Sequence, residues 1–143
     1  MLSLPLRAVL EPGKLVTASP ELRVADAALL MKERNVGAVL VVRQGRLIGI
    51  FTERDAVRRI LAAGRDPAAV RLEEVMTPDP TTIDERESFG YALLVMHEHG
   101  FRHLPVLRQG ELCGVLSARH ALDPDLEEFT VEATRRTSLR RRA

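Results

Sequence analysis

Apolar residues at Val24, Ala27, Ala28 and Met31 keep the i, i+3, i+4, i+7 spacing of a helix that buries one face. About three turns of helix fit between the turn-like Ser19-Pro20-Glu21 and the exit at Asn35-Val36-Gly37, where Asn and Gly suit a left-handed cap. The spacing then collapses. "AVLVVR" at 38–43 and "RLIGIF" at 46–51 are apolar, β-branched runs joined by a short turn containing Gln44-Gly45, which predicts a β-hairpin. A second helix is predicted to begin at "TERDAVRRILAAG", 52–64, and a short extended stretch, "LVTA" at 15–18, precedes the first.

The whole pattern returns 65 residues later. From Val16 onward the register holds without a gap, and residues 16–57 and 81–122 share thirteen identities in 42 positions. Thr17/Thr82, Met31/Met96, Arg43-Gln44-Gly45/Arg108-Gln109-Gly110, Gly49/Gly114 and Arg54/Arg119 are among them. In the second copy "TTI" replaces "LVTA", Phe89, Ala92, Leu93 and Met96 form the helical stripe, Gly100 marks the exit, and "HLPVLR" and "ELCGVL" form the hairpin. Upstream, "LRAVLEP" at 6–12 echoes "LEEVMTP" at 72–78 after a slip of one residue. This is an internal duplication with the order β-α-β-β-α written twice.

A copy of about 60 residues buries little core alone, so the two are expected to pack face to face about a pseudo-twofold axis in an α+β fold. The chain divides into a first repeat with its lead-in (1–66), a second repeat (67–123) and a C-terminal tail (124–143). The tail runs from acidic "LEEF" to Arg135, Arg136, Arg140, Arg141 and Arg142, an order that suits a helix dipole and predicts a helix with a basic end.

Composition narrows the functions open to such a chain. Net charge is +1 and aromatics are 3% with no Trp, which argues against nucleic acid as a partner. The longest apolar runs are too short to span a bilayer, and no signal peptide is evident at the N-terminus. The single cysteine, Cys113, excludes an intramolecular disulfide and fits a reducing compartment, so the cytoplasm is the expected location. Cys113 aligns with Ile48 and is expected to fill a strand position. His97 and His99 align with Lys32 and Arg34, solvated positions at a helix C-terminus, rather than forming a metal site. No nucleophile–base pair, acid pair or metal cluster is spaced for catalysis, so an enzyme is not expected and neither is a catalytic cofactor.

The duplicated turn "GIFTERD" at 49–55 and "GVLSARH" at 114–120 carries the candidate chemistry. Thr52 falls at the N-cap and Asp55 at N3 of the second helix, the pattern of a capping box that needs no ligand. The same atoms also suit a ligand. A helix N-terminus and a hydroxyl favour a phosphate, and a carboxylate can accept two hydrogen bonds from a ribose diol. Gly49 permits close approach of a ligand or another part of the chain.

"GIFTERD", "VMTPDPTTI" and "HGFRHLPVLRQGELCGVLS", in this order and spacing, resemble a tandem pair of cystathionine-β-synthase (CBS) domains, the Bateman module, over roughly residues 5–122. The resemblance implies a regulatory module with clefts for AMP, ADP, ATP or S-adenosylmethionine, commonly assembled as a homodimer and acting on a regulated protein partner. Asp55 matches the family's ribose-binding aspartate and Thr52 its phosphate-side hydroxyl, with Arg54 between them. Backbone around Thr17 and Ala18 and side chains near Ala38 and Val39 would wall the base, mostly through apolar contact. Arg102 and His103 match the basic pair that reaches phosphates in many relatives. In copy two Ser117 keeps the hydroxyl, but His120 stands where the family has Asp. A neutral imidazole offers the diol one good hydrogen bond instead of two, which implies one competent site and one degenerate or altered. The alternative is a ligand-free dimerisation or partner-binding scaffold in which "TERD" is only a cap.

Overall fold

The computed structural model describes residues 2–119; His120 and the 124–143 tail lie outside the described residues. The chain opens with a single 3-10 turn, Leu6–Ala8, before the first repeat begins. That repeat comprises β1 (Thr17–Ala18), α1 (Val24–Arg34), β2 (Ala38–Arg43), β3 (Arg46–Thr52) and α2 (Glu53–Asp55), which runs on into a π-helical segment, Ala56–Leu61. The connection carries α3 (Leu72–Val75) and β4 (Thr77–Pro78). The second repeat supplies β5 (Ile83–Asp84), α4 (Phe89–His99), β6 (His103–Arg108) and β7 (Glu111–Ser117). Two mixed sheets result, β1-β2-β3-β4 and β5-β6-β7, each with a parallel outer strand beside an antiparallel hairpin. The α+β class and the duplicated order are those read from the sequence as far as Ser117; the helix expected to close the second copy lies largely outside the described residues.

The turns follow from their residues. Gln44 and Gly45 both have positive φ, as do Gln109 and Gly110, so each hairpin closes through a two-residue turn whose twist matches its strands. Asn35 and Gly100 are left-handed and cap α1 and α4, their N–H groups reaching back to carbonyls of the last turn. Each hairpin carries a bulge at the same place, Ile48 in one and Cys113 in the other.

Two sequence expectations are corrected. Ala28 is exposed, because α1 meets its sheet along the narrower line of Val24, Ala27 and Met31; its counterpart Leu93 is half-buried in the second core. The second helix is not α-helical throughout, since its last six residues take the wider π form.

Three apolar clusters hold the molecule together. Val39, Val41 and Phe51 pack under α1 in the first copy; Leu104, Val106 and Leu116 pack under α4 in the second. The third lies between the sheets, where Ala38, Leu40 and Ile50 of copy one meet Val115 of copy two. Strand alternation explains the division: successive residues of β2 face its own helix or the other copy.

The lead-in segments cross over. Leu6 and Val9 are buried in the second copy's core, while Leu72 and Val75, which begin the second "LxxV", are buried in the first copy's core. The glycines of the bulges receive the residues that follow. A Cβ on Gly49 would meet Met76, with its Cγ 2.9 Å away; one on Gly114 would meet Leu10 Cδ1 at 2.8 Å. This reciprocal exchange is the mark of a twofold relation between the copies. Among the described residues, no helix is long and apolar enough to cross a membrane.

Candidate functional site

The turn from β3 into α2 is built by its own side chains. Thr52 is extended, and its hydroxyl accepts the Asp55 N–H at 3.2 Å. Asp55 Oδ2 in return accepts the Thr52 N–H at 3.0 Å and lies 3.2 Å from the Thr52 hydroxyl, which donates to it. The capping box is therefore complete. Asp55 is also 3.6 Å from Arg59 Nε through Oδ1, one helical turn on. At 8% exposure it is one of two buried charged residues among those described, the other being Glu85. Its side chain is 12% exposed, and Oδ1, the oxygen nearer Arg59, takes no part in the cap.

This turn faces the other copy across a cleft of about 640 Å³. Thr52, Arg54, Asp55, Arg58 and Arg59 form one side; Gly100, Arg102 and His103, where α4 turns into β6, form the other. The Thr77–Thr81 segment contributes the remaining wall through Thr77, Asp79, Pro80 and Thr81. Arg54 Nη1 donates to the Gly100 carbonyl at 3.2 Å, tying the first copy's turn to the second copy's helix cap. Arg59 Nη1 donates to the Val75 and Met76 carbonyls, both at 3.0 Å, and so fixes the π-helical segment to the end of α3. Four arginines line the cleft against Glu53, Asp55 and Asp79.

The symmetry-equivalent cleft is smaller, about 210 Å³. Ser117 and Arg119 of copy two face Asn35, Gly37 and Ala38 of copy one, with Lys14 and Glu11 at the side. Lys14 Nζ donates to the Asn35 carbonyl at 3.4 Å. His103 lines both clefts.

The structure thus brings Thr52, Arg54, Asp55, Arg102 and His103 together in one cleft and places Ser117 and Ala38 in the other. Val39 is fully buried under α1, and Thr17 and Ala18, on the opposite edge of the sheet from β4, line neither cleft. Arg58 and Arg59 line the large cleft without being expected there, and the "TPDPT" segment, part of the quoted "VMTPDPTTI", supplies a wall. The i, i+4 spacing of Asp55 and Arg59 was the available signal.

Of the residues set aside earlier, His99 lines the large cleft beside Phe101. His97 and His99 are exposed, with His99 Nδ1 2.9 Å from the Val95 carbonyl and its ring stacked on Phe101. Among the described residues no group of three His, Cys, Asp or Glu could hold a metal ion. Cys113 is half-buried; burial, together with the nearby Glu85 carboxylate, pushes its thiol up from the ordinary value.

The CBS domain model matches residues 8–62 and again 72–125. The chain belongs to the CBS domain family. The CBS domain-containing protein YhcV of Bacillus subtilis is 38% identical over 104 residues, 73% of this chain and 74% of its own length. A putative signal-transduction protein with CBS domains from Burkholderia ambifaria superposes with a TM-score of 0.78 at 35% identity, covering 83% of this chain and 91% of its own. A CBS domain protein from Pyrobaculum aerophilum, solved in complex with AMP, shares the fold at 21% identity with a TM-score of 0.77, over 90% of this chain and 99% of its own.

Proposed function

We propose that this CBS pair is a non-catalytic regulatory module that binds an adenosine-containing ligand, AMP, ADP, ATP or S-adenosylmethionine, in the large cleft. Occupancy changes how the two copies, or two chains of a cytoplasmic homodimer, sit against each other and thereby signals to a regulated partner. One observation carries this reading: Thr52 and Asp55 of one copy face Arg102 and His103 of the other across a single cleft. A ribose diol donating to Asp55 Oδ1 would compete only with the longer contact to Arg59, leaving the cap bonds to Oδ2 in place. The arginines on both walls favour phosphorylated ligands over the cationic sulfonium. A ligand touching both walls binds unequally to open and closed arrangements, which is what a population shift requires. The AMP complex of the Pyrobaculum protein supports the fold's capacity for such a ligand.

Calorimetric titration of the wild type and Asp55→Ala with the four ligands tests this. Binding of about one equivalent that Asp55→Ala abolishes, in a protein whose circular dichroism is unchanged, supports the reading. The completeness of the capping box favours a second reading, a ligand-free scaffold; absence of binding by all four ligands would select it.

A further inference from the structure

The two clefts are separated by a wall one side chain thick. His103 lines both, and its Nε2 lies 2.9 Å from where a Cβ on Gly37 would stand, so the ring occupies the space that this glycine leaves. Beside it, Glu53 of the large cleft and Arg119 of the small cleft form the wall's second part, Arg119 Nη2 donating to Glu53 Oε1 at 3.3 Å. Glu53 therefore presents a neutralised carboxylate at the large cleft only while Arg119 holds it.

We infer that the clefts are antagonistically coupled for anionic ligands through the Glu53–Arg119 pair. This rests on the reading of the large cleft as an adenylate site. An anion entering the small cleft draws Arg119 toward itself. Glu53 is then left uncompensated at the edge of the large cleft, where Arg54, Arg58 and Arg102 otherwise make a field favourable to phosphate. By linkage the effect is reciprocal: an anion in the large cleft makes an uncompensated Glu53 more costly, so Arg119 stays on Glu53 and is less available to an anion in the small one. Both side chains are more than half exposed, 59% and 62%, so solvent screens the pair. The coupling is correspondingly small, about two- to five-fold in affinity.

Arg119→Gln reproduces the occupied state of the small cleft without a ligand. Titrated with AMP and read at the binding step that Asp55→Ala abolishes, it should weaken the large cleft about two- to five-fold, although Arg119 does not line that cleft. Glu53→Gln in the same chain should restore the affinity, and adenosine, which carries no phosphate, should be insensitive to both. Unchanged AMP affinity in Arg119→Gln, a loss that Glu53→Gln does not rescue, or an equal loss for adenosine overturns the coupling while leaving the adenylate reading intact. No AMP binding to the wild type overturns both.

Discussion

Asp55 and Thr52 serve the helix before they can serve a ligand. Four of their atoms form two mutual backbone contacts and one side-chain contact, and these satisfy N–H groups at the start of α2 that would otherwise lack partners. Thr52→Ala removes the hydroxyl that caps Asp55 N–H and should cost about 1 kcal/mol, whereas Thr52→Ser, the residue copy two uses, should cost a few tenths. Urea unfolding of the two variants measures the difference, and equal losses would show that the methyl rather than the hydroxyl matters. These two residues were legible in the sequence because capping is local: a hydroxyl three positions before a carboxylate specifies the geometry by itself. At Ala38 and Val39, what is not legible is which face of β2 meets which neighbour: alternation sends Val39 under α1 while Ala38 opens on the smaller cleft. Arg58 went unnoticed for the opposite reason, since an arginine on a basic helix carries no distinguishing pattern until the opposing wall is known.

At the scale of elements, the helices and hairpins follow closely from spacing and turn residues, and the departures lie where one element meets another. The connecting helix α3 is such a place. Its Glu74 carboxylate accepts the Arg71 N–H at 2.7 Å and pairs with Arg65 Nη2 at 3.2 Å. The backbone N–H, followed by the Arg65 charge, holds this carboxyl below the ordinary glutamate value of 4.5. A folded-state value below the unfolded one means that the unfolded chain binds the proton more readily. The contribution to stability is therefore present above about pH 4.5 and is lost as pH falls through the lower folded-state value. Glu74→Gln should flatten that part of the acid limb, checked by urea midpoints of both proteins at pH 6 and pH 3.5. The mutant's deficit should be visible at pH 6 and shrink at pH 3.5; a deficit that grew on acidification would contradict the sign. The sequence showed the charges but not this arrangement, because Arg65 reaches Glu74 only once the connection between the repeats is folded.

The whole molecule is organised by exchange. Each "LxxV" lead-in is buried in the core of the copy it does not precede, so the slip of one residue between "LRAVLEP" and "LEEVMTP" relates two segments serving opposite halves. Periodicity could reveal the duplication but not the exchange, since a duplicated chain looks the same whether a lead-in folds onto its own copy or the other. The exchange bears on the regulatory role proposed above. With Leu6 in the second core, Leu72 in the first, and Ala38, Leu40, Ile50 and Val115 sealing the sheets together, each copy's core is completed by a segment that leads into the other. On the proposed function, a ligand spanning the large cleft would then act on one cooperative unit instead of two linked ones, which Leu6→Ala tests. Leu6 is fully buried, so Leu6→Ala should cost about 2–5 kcal/mol. Because the halves share their cores, that loss should appear as reduced amide-exchange protection in β2 and β3 of the first copy as much as in β6 and β7 of the second. Loss confined to β6 and β7 would mean that the copies open independently. Regulation would then have to pass through the few polar contacts across the clefts, Arg54 to Gly100 and Arg119 to Glu53, rather than through the shared core.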